Sequence, residues 1–375
     1  MQKFTLILSS MVLALPALAA QPQTGSGETD GYKLVWQDLF DGEELNQLRW
    51  NIEVNGAGGG NNELQYYTDR SENVRVGDDG EGNGCLILTA RREEYKNRHF
   101  TSGRVNSMHL VTFTHGKIEA SIKLPATANG LWPAFWMMGN DYSEVGWPKC
   151  GETDILEMGH SDGIKNGTTD RYFNGACHWG QGWPQASYAK SATKSYSLQD
   201  GEFHLFTLIW DENNYKMYVD LDKNPVQVPY YSIGITCDDP GNEWSAGNYF
   251  HKENFILFNL AVGGNFPGIH DAAGITAINE DNGQEASMYV NYVKIYQKEG
   301  AEGNTLFSAV PTDALDSESS VDELAAESEV FPQIYTVGGQ LVRTLAKGMN
   351  PSEADIEKGI YIVKSGNSTY KFVKK

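Results

Sequence analysis

The sequence predicts an all-β protein folded as a sandwich or barrel of antiparallel strands. Short runs rich in β-branched and aromatic residues recur along the chain, and polar, glycine-rich connections separate them. The 375 residues include 40 glycines, 19 tyrosines and 9 tryptophans, a composition that favours a loop-rich β protein over a helical one. No alternation of strands with helices appears, which argues against a parallel sheet. A two-sheet jelly roll would occupy one large domain, residues 21–298.

The individual strands are predicted from alternating or apolar runs bounded by glycine, proline and polar residues. Residues 187–191 differ from these runs, because they show a weak helical period. The glycine run at residues 56–60 has no amphipathic helix after it, which excludes a phosphate-binding loop there. We predict strands at residues 32–36, 49–54, 74–76, 85–91, 103–107, 117–123, 131–138, 152–158, 176–179, 204–210, 214–219, 255–261 and 288–297.

The first 20 residues have the pattern of a secretory signal peptide. A short basic start is followed by an apolar run and by the small-residue ending Ala17-Leu-Ala-Ala20. The apolar run is too short for a membrane anchor, and no other stretch is long and apolar enough to span a membrane. We therefore expect a secreted or cell-surface protein.

Composition changes after residue 298. Residues 299–329 form an acidic linker rich in serine and alanine, and no lysine or arginine lies between Pro311 and Glu329. Residues 330–375 return to a β pattern. Two hairpins are predicted there, one with a Gly338-Gly339 turn and one that follows the run Gly359-Ile-Tyr-Ile-Val. The chain therefore ends in a small C-terminal β-module.

Charge and cysteine content exclude several classes of function. The net charge of −20 argues against nucleic acid and against an anionic membrane surface as partners. No Gly-x-Ser-x-Gly sequence is present, and the histidines are too scattered to indicate a zinc site. The four cysteines either pair, in one of three ways, or are buried thiols. They are Cys85, Cys150, Cys177 and Cys237.

Three acids mark the stretch with the strongest chemical signal, residues 147–160. Because residues two apart share a face of a strand, Glu152 and Asp154 point the same way. Glu157 is five residues from Glu152, so a regular strand would turn it to the opposite face. A β-bulge near residues 155–156 would absorb the extra residue and bring it back.

With such a bulge, the two glutamates are about 13 Å apart at their Cα atoms. Their carboxyl groups can then lean to about 5–6 Å, the separation typical of retaining glycosidases. The shorter Asp154 fits between them and helps to separate their pKa values. We therefore predict Glu152, Asp154 and Glu157 as catalytic residues. A solvated acidic face and a calcium site are the alternatives.

Aromatic and polar side chains near this stretch are candidates for binding a sugar. An indole offers an apolar face to a pyranose and a solvated N–H at its edge. The alternative for each tryptophan is an ordinary position in the core. His178 is predicted to hydrogen-bond an acid or a sugar hydroxyl, or to be structural. Arg104 is either a hydroxyl donor or a buried ion-pair partner. The predicted substrate-binding residues are Trp132, Trp136, Trp147, His178, Asn62, Glu63 and Arg104.

The run Trp147-Pro-Lys-Cys-Gly-Glu-Thr-Asp-Ile-Leu-Glu157 resembles the signature of glycoside hydrolase family 16, in the longer form of its laminarinase-like members. The resemblance covers roughly residues 32–298. It includes Leu34-Val-Trp-Gln-Asp, Asn61-Asn-Glu-Leu-Gln-Tyr-Tyr-Thr68, Gly130-Leu-Trp-Pro-Ala-Phe-Trp136, Asn259-Leu-Ala-Val-Gly-Gly264 and Val290-Asn-Tyr-Val-Lys-Ile-Tyr296.

This resemblance implies a concanavalin A-like β-jelly-roll with an open cleft and a retaining endo-mechanism. Glu152 would be the nucleophile, Glu157 the acid/base and Asp154 their assistant. Thr153 replaces a usual Ile or Val and should face the sandwich interior. Phe266 stands where Trp is common. Many members hold a structural calcium ion where Leu39 and Asn291 stand, so backbone oxygens would have to supply its ligands.

The C-terminal module, residues 330–375, resembles the sorting domain of the type IX secretion system, and the alternative is a small carbohydrate-binding module. The chain is thus expected to be a monomeric secreted endo-β-glucanase acting on β-1,3-glucan or mixed-linkage β-1,3-1,4-glucan. No catalytic cofactor is expected. Two alternatives are a hydrolase of another β-linked polymer such as a galactan and a non-catalytic glycan-binding protein. The expected partners are the polysaccharide and, during export, the type IX machinery.

Overall fold

The computed structural model describes residues 31–182, 187–236 and 239–312, and in the C-terminal segment residues 333–336, 341–345, 354–365 and 368–374. The predicted signal peptide lies outside the described residues, as do residues 313–329 of the predicted linker. Within the described part of the chain, no helix is both long enough and apolar enough to cross a membrane.

Strands dominate the described chain, as predicted. They are β1 Tyr32–Asp38, β2 Asn51–Ile52, β3 Gln65–Tyr67, β4 Val74–Asp78, β5 Gly84–Tyr95, β6 Arg98–Ser102, β7 Arg104–Asn106, β8 Val111–Thr114, β9 Gly116–Lys123, β10 Leu131–Gly139, β11 Glu152–Met158, β12 Tyr172–His178, β13 Ser187–Thr193, β14 His204–Trp210, β15 Asn214–Val219, β16 Tyr231–Gly234, β17 Asn254–Val262, β18 Glu285–Lys298, β19 Thr305–Ser308, β20 Gln333–Thr336, β21 Leu341–Thr344, β22 Gly359–Ser365 and β23 Ser368–Lys374.

Helical elements are short and lie in the connections between strands. The two α-helical turns are α1 Tyr142–Val145 and α2 Ser161–Asn166. The 3-10 turns are Gly58–Gly60, Ala246–Asn248, Ala272–Gly274 and Glu280–Asn282.

Two large sheets form the sandwich. The front sheet has nine strands in the order β13-β12-β11-β10-β17-β7-β2, with β8 paired to β17 and β19 paired to β8. The back sheet has ten strands in the order β16-β15-β14-β9-β18-β5-β6-β3, with β1 and β4 on branches. Strands distant in sequence, such as β10 and β17, pair as neighbours in the sheet, which is typical of a jelly roll. The predicted β-jelly-roll sandwich is confirmed.

Strand alternation explains which face of the front sheet is buried. Along β17, Ile256, Phe258 and Leu260 are fully buried in the main apolar core between the sheets. Asn259 lies between two of them and therefore points to the opposite, front face. The same alternation on β10 puts Phe135 into the core and Trp136 on the front face. The front face of this sheet is thus the surface on which polar and aromatic side chains collect.

Several short strands differ from the predictions. The run predicted at residues 49–54 is a strand only at Asn51–Ile52, and the weak helical period over residues 187–191 corresponds to β13. Six strands were not predicted: β3, β6, β8, β13, β16 and β19. Most of them have five residues or fewer, too few for a period to be recognised.

The front sheet continues beyond residue 298, the predicted end of the large domain. Strand β19 pairs with β8, and Thr305 lies opposite Thr114. Farther along, the Arg49 guanidinium donates to the Pro311 carbonyl, and Thr312 exchanges hydrogen bonds with the backbone of Gln37. The sandwich therefore holds the chain as far as Thr312.

The described C-terminal residues form a separate four-stranded sheet in the order β21-β20-β22-β23. Both predicted hairpins are present in it, since β20 pairs with β21 and β22 pairs with β23. Its own small apolar cluster contains Ile334, Leu345, Ala354 and Val363.

Candidate active site

The acid-bearing strand β11 contains a β-bulge. Against β10, Leu156 lies opposite Phe135 and Asp154 lies opposite the next residue, Trp136, so Ile155 has no counterpart. The register against β12 shifts at the same place. The bulge predicted near residues 155–156 is confirmed.

The bulge lets two successive apolar side chains enter the core. Ile155 and Leu156 are fully buried between the sheets, as is Thr153. Because two successive residues face inward, Glu157 returns to the face that carries Glu152 and Asp154. The structure therefore brings the three predicted catalytic acids together on the front sheet.

Tyr230 supports the bulge from the loop before β16. Its hydroxyl donates to the Ile155 carbonyl, a bond buried beneath the acids. A bulge interrupts the regular ladder, so its carbonyls need partners from outside the sheet. Tyr230 thus holds the irregular backbone that sets the spacing of the acids.

Replacing Tyr230 with phenylalanine is expected to destabilise the protein by about 1–2 kcal/mol, because a buried carbonyl loses its donor. The rate constant kcat should fall as well, since the bulge positions Glu157. Urea unfolding and steady-state kinetics measure the two effects. Tyr218→Phe on the back sheet is the matched control, and it should change neither quantity. An unchanged urea midpoint for Tyr230→Phe would contradict this role.

Burial and mutual repulsion perturb the three acids. Burial raises the pKa of Glu152 to about 7, although the Arg104 charge and a hydrogen bond from Trp147 oppose the rise. Burial and the negative charge of Glu152 raise the pKa of Glu157 to about 8. Burial and both glutamates raise the pKa of Asp154 well above its usual value. The arrangement therefore favours a proton on Glu157 over one on Glu152.

Trp132 contacts Glu157 directly. Its indole N–H donates to Glu157 Oε1 at 3.1 Å. Phe266 stacks on the Trp132 ring with the planes at 8° and the ring centroids 4.6 Å apart, and Trp132 is only 8% exposed. Little of this ring surface is thus free for a sugar, and the contact to Glu157 is made by the ring edge.

Trp147 and His178 lie at the other end of the acid row. Trp147 is 40% exposed, and its ring centroid is 6.3 Å from that of His178. His178 Nε2 is 3.5 Å from Asp154 Oδ2 and 3.9 Å from Glu152 Oε1, and burial lowers the pKa of this histidine. Trp147 is therefore the predicted aromatic with the most ring surface available beside the acids.

A connected row of polar groups continues from the acids across the front sheet. The Trp136 indole N–H donates to Asn259 Oδ1 at 2.7 Å, and the Arg104 guanidinium lies 4.9 Å from the Trp136 ring centroid. Arg104 Nε is 2.9 Å from Glu53 Oε1. Arg104 is therefore an ion-pair partner that also faces the acid-bearing surface, and its role as a donor to a sugar hydroxyl stays a prediction.

Asn62 and Glu63 lie in the loop before β3. Glu63 is 4% exposed and accepts hydrogen bonds from Gln65 Nε2 at 2.6 Å and from the Tyr67 hydroxyl at 3.2 Å. Asn62 is exposed and donates to Asn265 Oδ1 at 3.1 Å. Glu63 therefore stabilises the loop by hydrogen bonds, whereas Asn62 links the loop to the segment that carries Phe266.

Sequence reasoning missed Glu53 and Asn259 as members of this surface. Asn259 had a usable signal, since it is a polar residue inside the apolar run of β17 at an outward-facing position. Glu53 had none. It joins the surface because β2 and β7 pair, and that pairing is not encoded in any local pattern.

The two positions at which the resemblance implies calcium carry no carboxylate. Leu39 carries no side-chain oxygen, and the Asn291 amide nitrogen donates to the Gly84 carbonyl at 2.9 Å. Calcium prefers six to eight oxygen ligands, usually with carboxylates among them. Neither side chain supplies a carboxylate, so structural calcium stays a prediction that would depend mainly on backbone oxygens.

The described cysteines are buried free thiols. They are Cys85, Cys150 and Cys177, and burial raises the pKa of each. Cys237 lies outside the described residues.

The jelly-roll sandwich and the bulged row of acids place this chain in the class of β-sandwich proteins with a glycosidase-type site. Comparison with known proteins narrows the class. Residues 60–229 match the family described as glycosyl hydrolases family 16. A beta-glucanase of Rhodothermus marinus is 30% identical over 303 residues, which cover 79% of this chain and 95% of that protein.

Solved structures of the same family also resemble this chain. A Bacteroides ovatus mixed-linkage glucan GH16 protein is 40% identical with a TM-score of 0.60, and the match covers 69% of this chain and 99% of that one. The catalytic domain of an endo-1,3-beta-glucanase (laminarinase) from Thermotoga petrophila is 32% identical with a TM-score of 0.58, and its match covers 72% and 99%. The chain belongs to glycoside hydrolase family 16. It spans only 34% and 38% of the length of two further curated relatives.

Proposed function

We propose that this protein is a retaining endo-β-glucanase that cleaves β-1,3-glucan and mixed-linkage β-1,3-1,4-glucan. The observation that carries the proposal is the β11 bulge, which puts Glu152, Asp154 and Glu157 on one face with their pKa values shifted apart. The substrate class is supported by the relatives above, whose names specify glucans with β-1,3 or mixed linkages.

In the first half-reaction, ionised Glu152 attacks the anomeric carbon and forms a covalent glycosyl-enzyme. Glu157 gives its proton to the glycosidic oxygen, and the leaving chain departs as an alcohol. In the second half-reaction, Glu157 takes a proton from water, which attacks the same carbon and releases Glu152. Two inversions at this carbon retain the β configuration.

Asp154 acts between the two glutamates. Burial and the charges of both glutamates raise the pKa of Asp154 well above its usual value, and the electrostatic coupling of the three acids lets Asp154 influence which glutamate carries the proton. His178 and Arg104 contact or face the same row and orient sugar hydroxyls in this mechanism. Trp147 provides the stacking surface beside Glu152.

Product analysis tests the proposal. Purified protein is incubated with laminarin, lichenan and barley β-glucan, and the products are separated by chromatography. An endo-glucanase should release a ladder of oligosaccharides from these polymers and none from a β-galactan. Binding of glucan without release of any oligosaccharide would overturn it and favour a glycan-binding protein.

The pH dependence of kcat/KM is expected to be bell-shaped with its maximum between pH 7 and 8. Activity should rise as Glu152 ionises, near its pKa of about 7, and fall as Glu157 loses its proton, near its pKa of about 8. The acidic and alkaline limbs of this profile report macroscopic pKa values of the coupled acids. Initial rates on lichenan from pH 4 to pH 10 measure them. Activity still rising at pH 10 would contradict the assignment of Glu157 as the acid.

We further propose that residues 1–20 direct export and that residues 330–375 are a type IX sorting module, joined by an acidic linker to the catalytic domain. The sequence patterns at both ends support this, together with the separate four-stranded sheet and apolar cluster of the C-terminal residues. Deletion of residues 330–375 in a type IX-competent bacterium should leave active enzyme in the periplasm. Unchanged release to the medium would contradict the proposal.

A further inference from the structure

We propose that Glu152, Asp154 and His178 form a binding site for a divalent transition-metal cation of the Zn²⁺ type, and that this cation inhibits by covering the nucleophile. Each residue offers one ligand atom, and the three atoms all lie within 4.8 Å of one another. The three side chains come from two adjacent strands, since Glu152 and His178 are cross-strand neighbours on β11 and β12. The inhibition depends on the proposed hydrolase activity, whereas metal binding does not.

The spacing of the three atoms suits tetrahedral coordination. Zinc bonds of about 2.0–2.2 Å to nitrogen and oxygen at a tetrahedral angle put neighbouring ligand atoms about 3.3–3.5 Å apart. His178 Nε2 is 3.5 Å from Asp154 Oδ2 and 3.9 Å from Glu152 Oε1. One separation already fits, and a small rotation of the longer Glu152 side chain would bring the other into range.

Asp154 provides independent support for a ligand at this place. It is 5% exposed, and its Oδ2 atom has no hydrogen-bond partner among the described residues. A buried carboxylate oxygen that accepts no hydrogen bond is costly, and a cation would satisfy it. The oxygen belongs to the pair with the 3.5 Å separation, so it points toward His178.

The kind of donor atoms decides the class of metal. One imidazole nitrogen with two carboxylate oxygens suits Zn²⁺, Co²⁺ and Cu²⁺, whereas Ca²⁺ and Mg²⁺ prefer oxygen ligands alone. Three protein ligands leave a fourth position for water. The nearby Arg104 would repel a cation, but its charge is paired with Glu53 at 2.9 Å. The front face can therefore accept a divalent ion next to Glu152.

A bound ion would occupy the oxygen that attacks the sugar and the space in front of it. Inhibition should therefore be competitive with glucan, and it should be reversed by a chelator. Removing Glu152, Asp154 or His178 as a ligand should weaken metal binding, even where the variant no longer hydrolyses glucan.

The experiment titrates Zn²⁺ and Co²⁺ into the full chain by calorimetry and visible absorption, with Ca²⁺ in parallel. His178→Gln and Asp154→Asn are compared with His99→Gln. His99 is the matched control, because it is an exposed histidine paired with Glu94 at 2.6 Å on the back sheet. Circular dichroism verifies that each variant folds. If a ligand variant does not fold, displacement of Zn²⁺ from the wild type by a glucan oligosaccharide is measured instead.

The proposal predicts one zinc site, at least about tenfold weaker binding in both ligand variants, and no change in His99→Gln. It also predicts that oligosaccharide displaces the ion. Equal Zn²⁺ affinity in wild type and His178→Gln, tighter binding of Ca²⁺ than of Zn²⁺, or simultaneous binding of ion and oligosaccharide would each overturn it. Zinc binding without glucan hydrolysis would overturn the proposed function and leave the site standing.

Discussion

Replacement of Glu152 with alanine is expected to reduce kcat on lichenan by about 10⁴-fold or more. The reason is that the variant lacks the carboxylate that attacks the anomeric carbon, while the other groups of the front sheet remain. Binding of a glucan oligosaccharide should persist, because Trp147 and Arg104 are still in place. Steady-state kinetics and calorimetry measure the two quantities separately.

A small external nucleophile provides the control for this variant. Azide can enter the space vacated by the Glu152 side chain and attack the same carbon, and one inversion then gives an α-glycosyl azide. Glu94→Ala, an exposed acid far from β11, should retain full activity. Wild-type rates in Glu152→Ala would exclude Glu152 as the nucleophile.

Replacement of Glu157 with glutamine is expected to lower kcat/KM on lichenan by about 10²–10⁴-fold, because proton transfer to the leaving oxygen is lost. For an aryl glycoside, whose leaving group needs no proton, the rate of the first half-reaction should fall much less. The alkaline limb of the pH profile should disappear, since that limb reports the loss of the Glu157 proton. Rates on both substrates from pH 5 to pH 10 measure these effects.

The stability of the same variant distinguishes a chemical defect from unfolding. The pKa of Glu157 is about 8 in the folded protein, above the usual value of 4.5. The folded state therefore binds more protons than the unfolded state between these values, and stability falls as pH rises through this range. Glutamine carries no charge and avoids this loss. Glu157→Gln should thus melt at a higher temperature than wild type at pH 9, and a lower melting temperature would contradict the assigned pKa.

The parts of the fold and site that were predictable are those encoded locally. The spacing of Glu152, Asp154 and Glu157 already required a bulge, because strand parity leaves no other way to put them on one face. The position of Thr153 inside the sandwich follows from the same parity. Strands β14 and β15 were predicted at their observed bounds, because β14 is an almost continuous apolar run and β15 alternates between buried and partly exposed residues.

The parts that were not predictable depend on which strands become neighbours. The row from Trp136 through Arg104 to Glu53 exists because β10, β17, β7 and β2 lie side by side, although their sequence separations differ widely. The stacking of Phe266 on Trp132 likewise joins distant segments, and it changes how Trp132 meets Glu157. Local residue patterns do not encode such contacts.

The stereochemistry of hydrolysis tests the central claim most directly. Proton NMR spectra recorded from the first minutes of lichenan hydrolysis distinguish the α and β anomers of the new reducing end before they equilibrate. If the bulged strand presents Glu152 and Glu157 as nucleophile and acid/base, the β anomer must appear first, followed by slow mutarotation. Initial appearance of the α anomer would mean that water attacks the substrate directly, and the account of this site would be wrong.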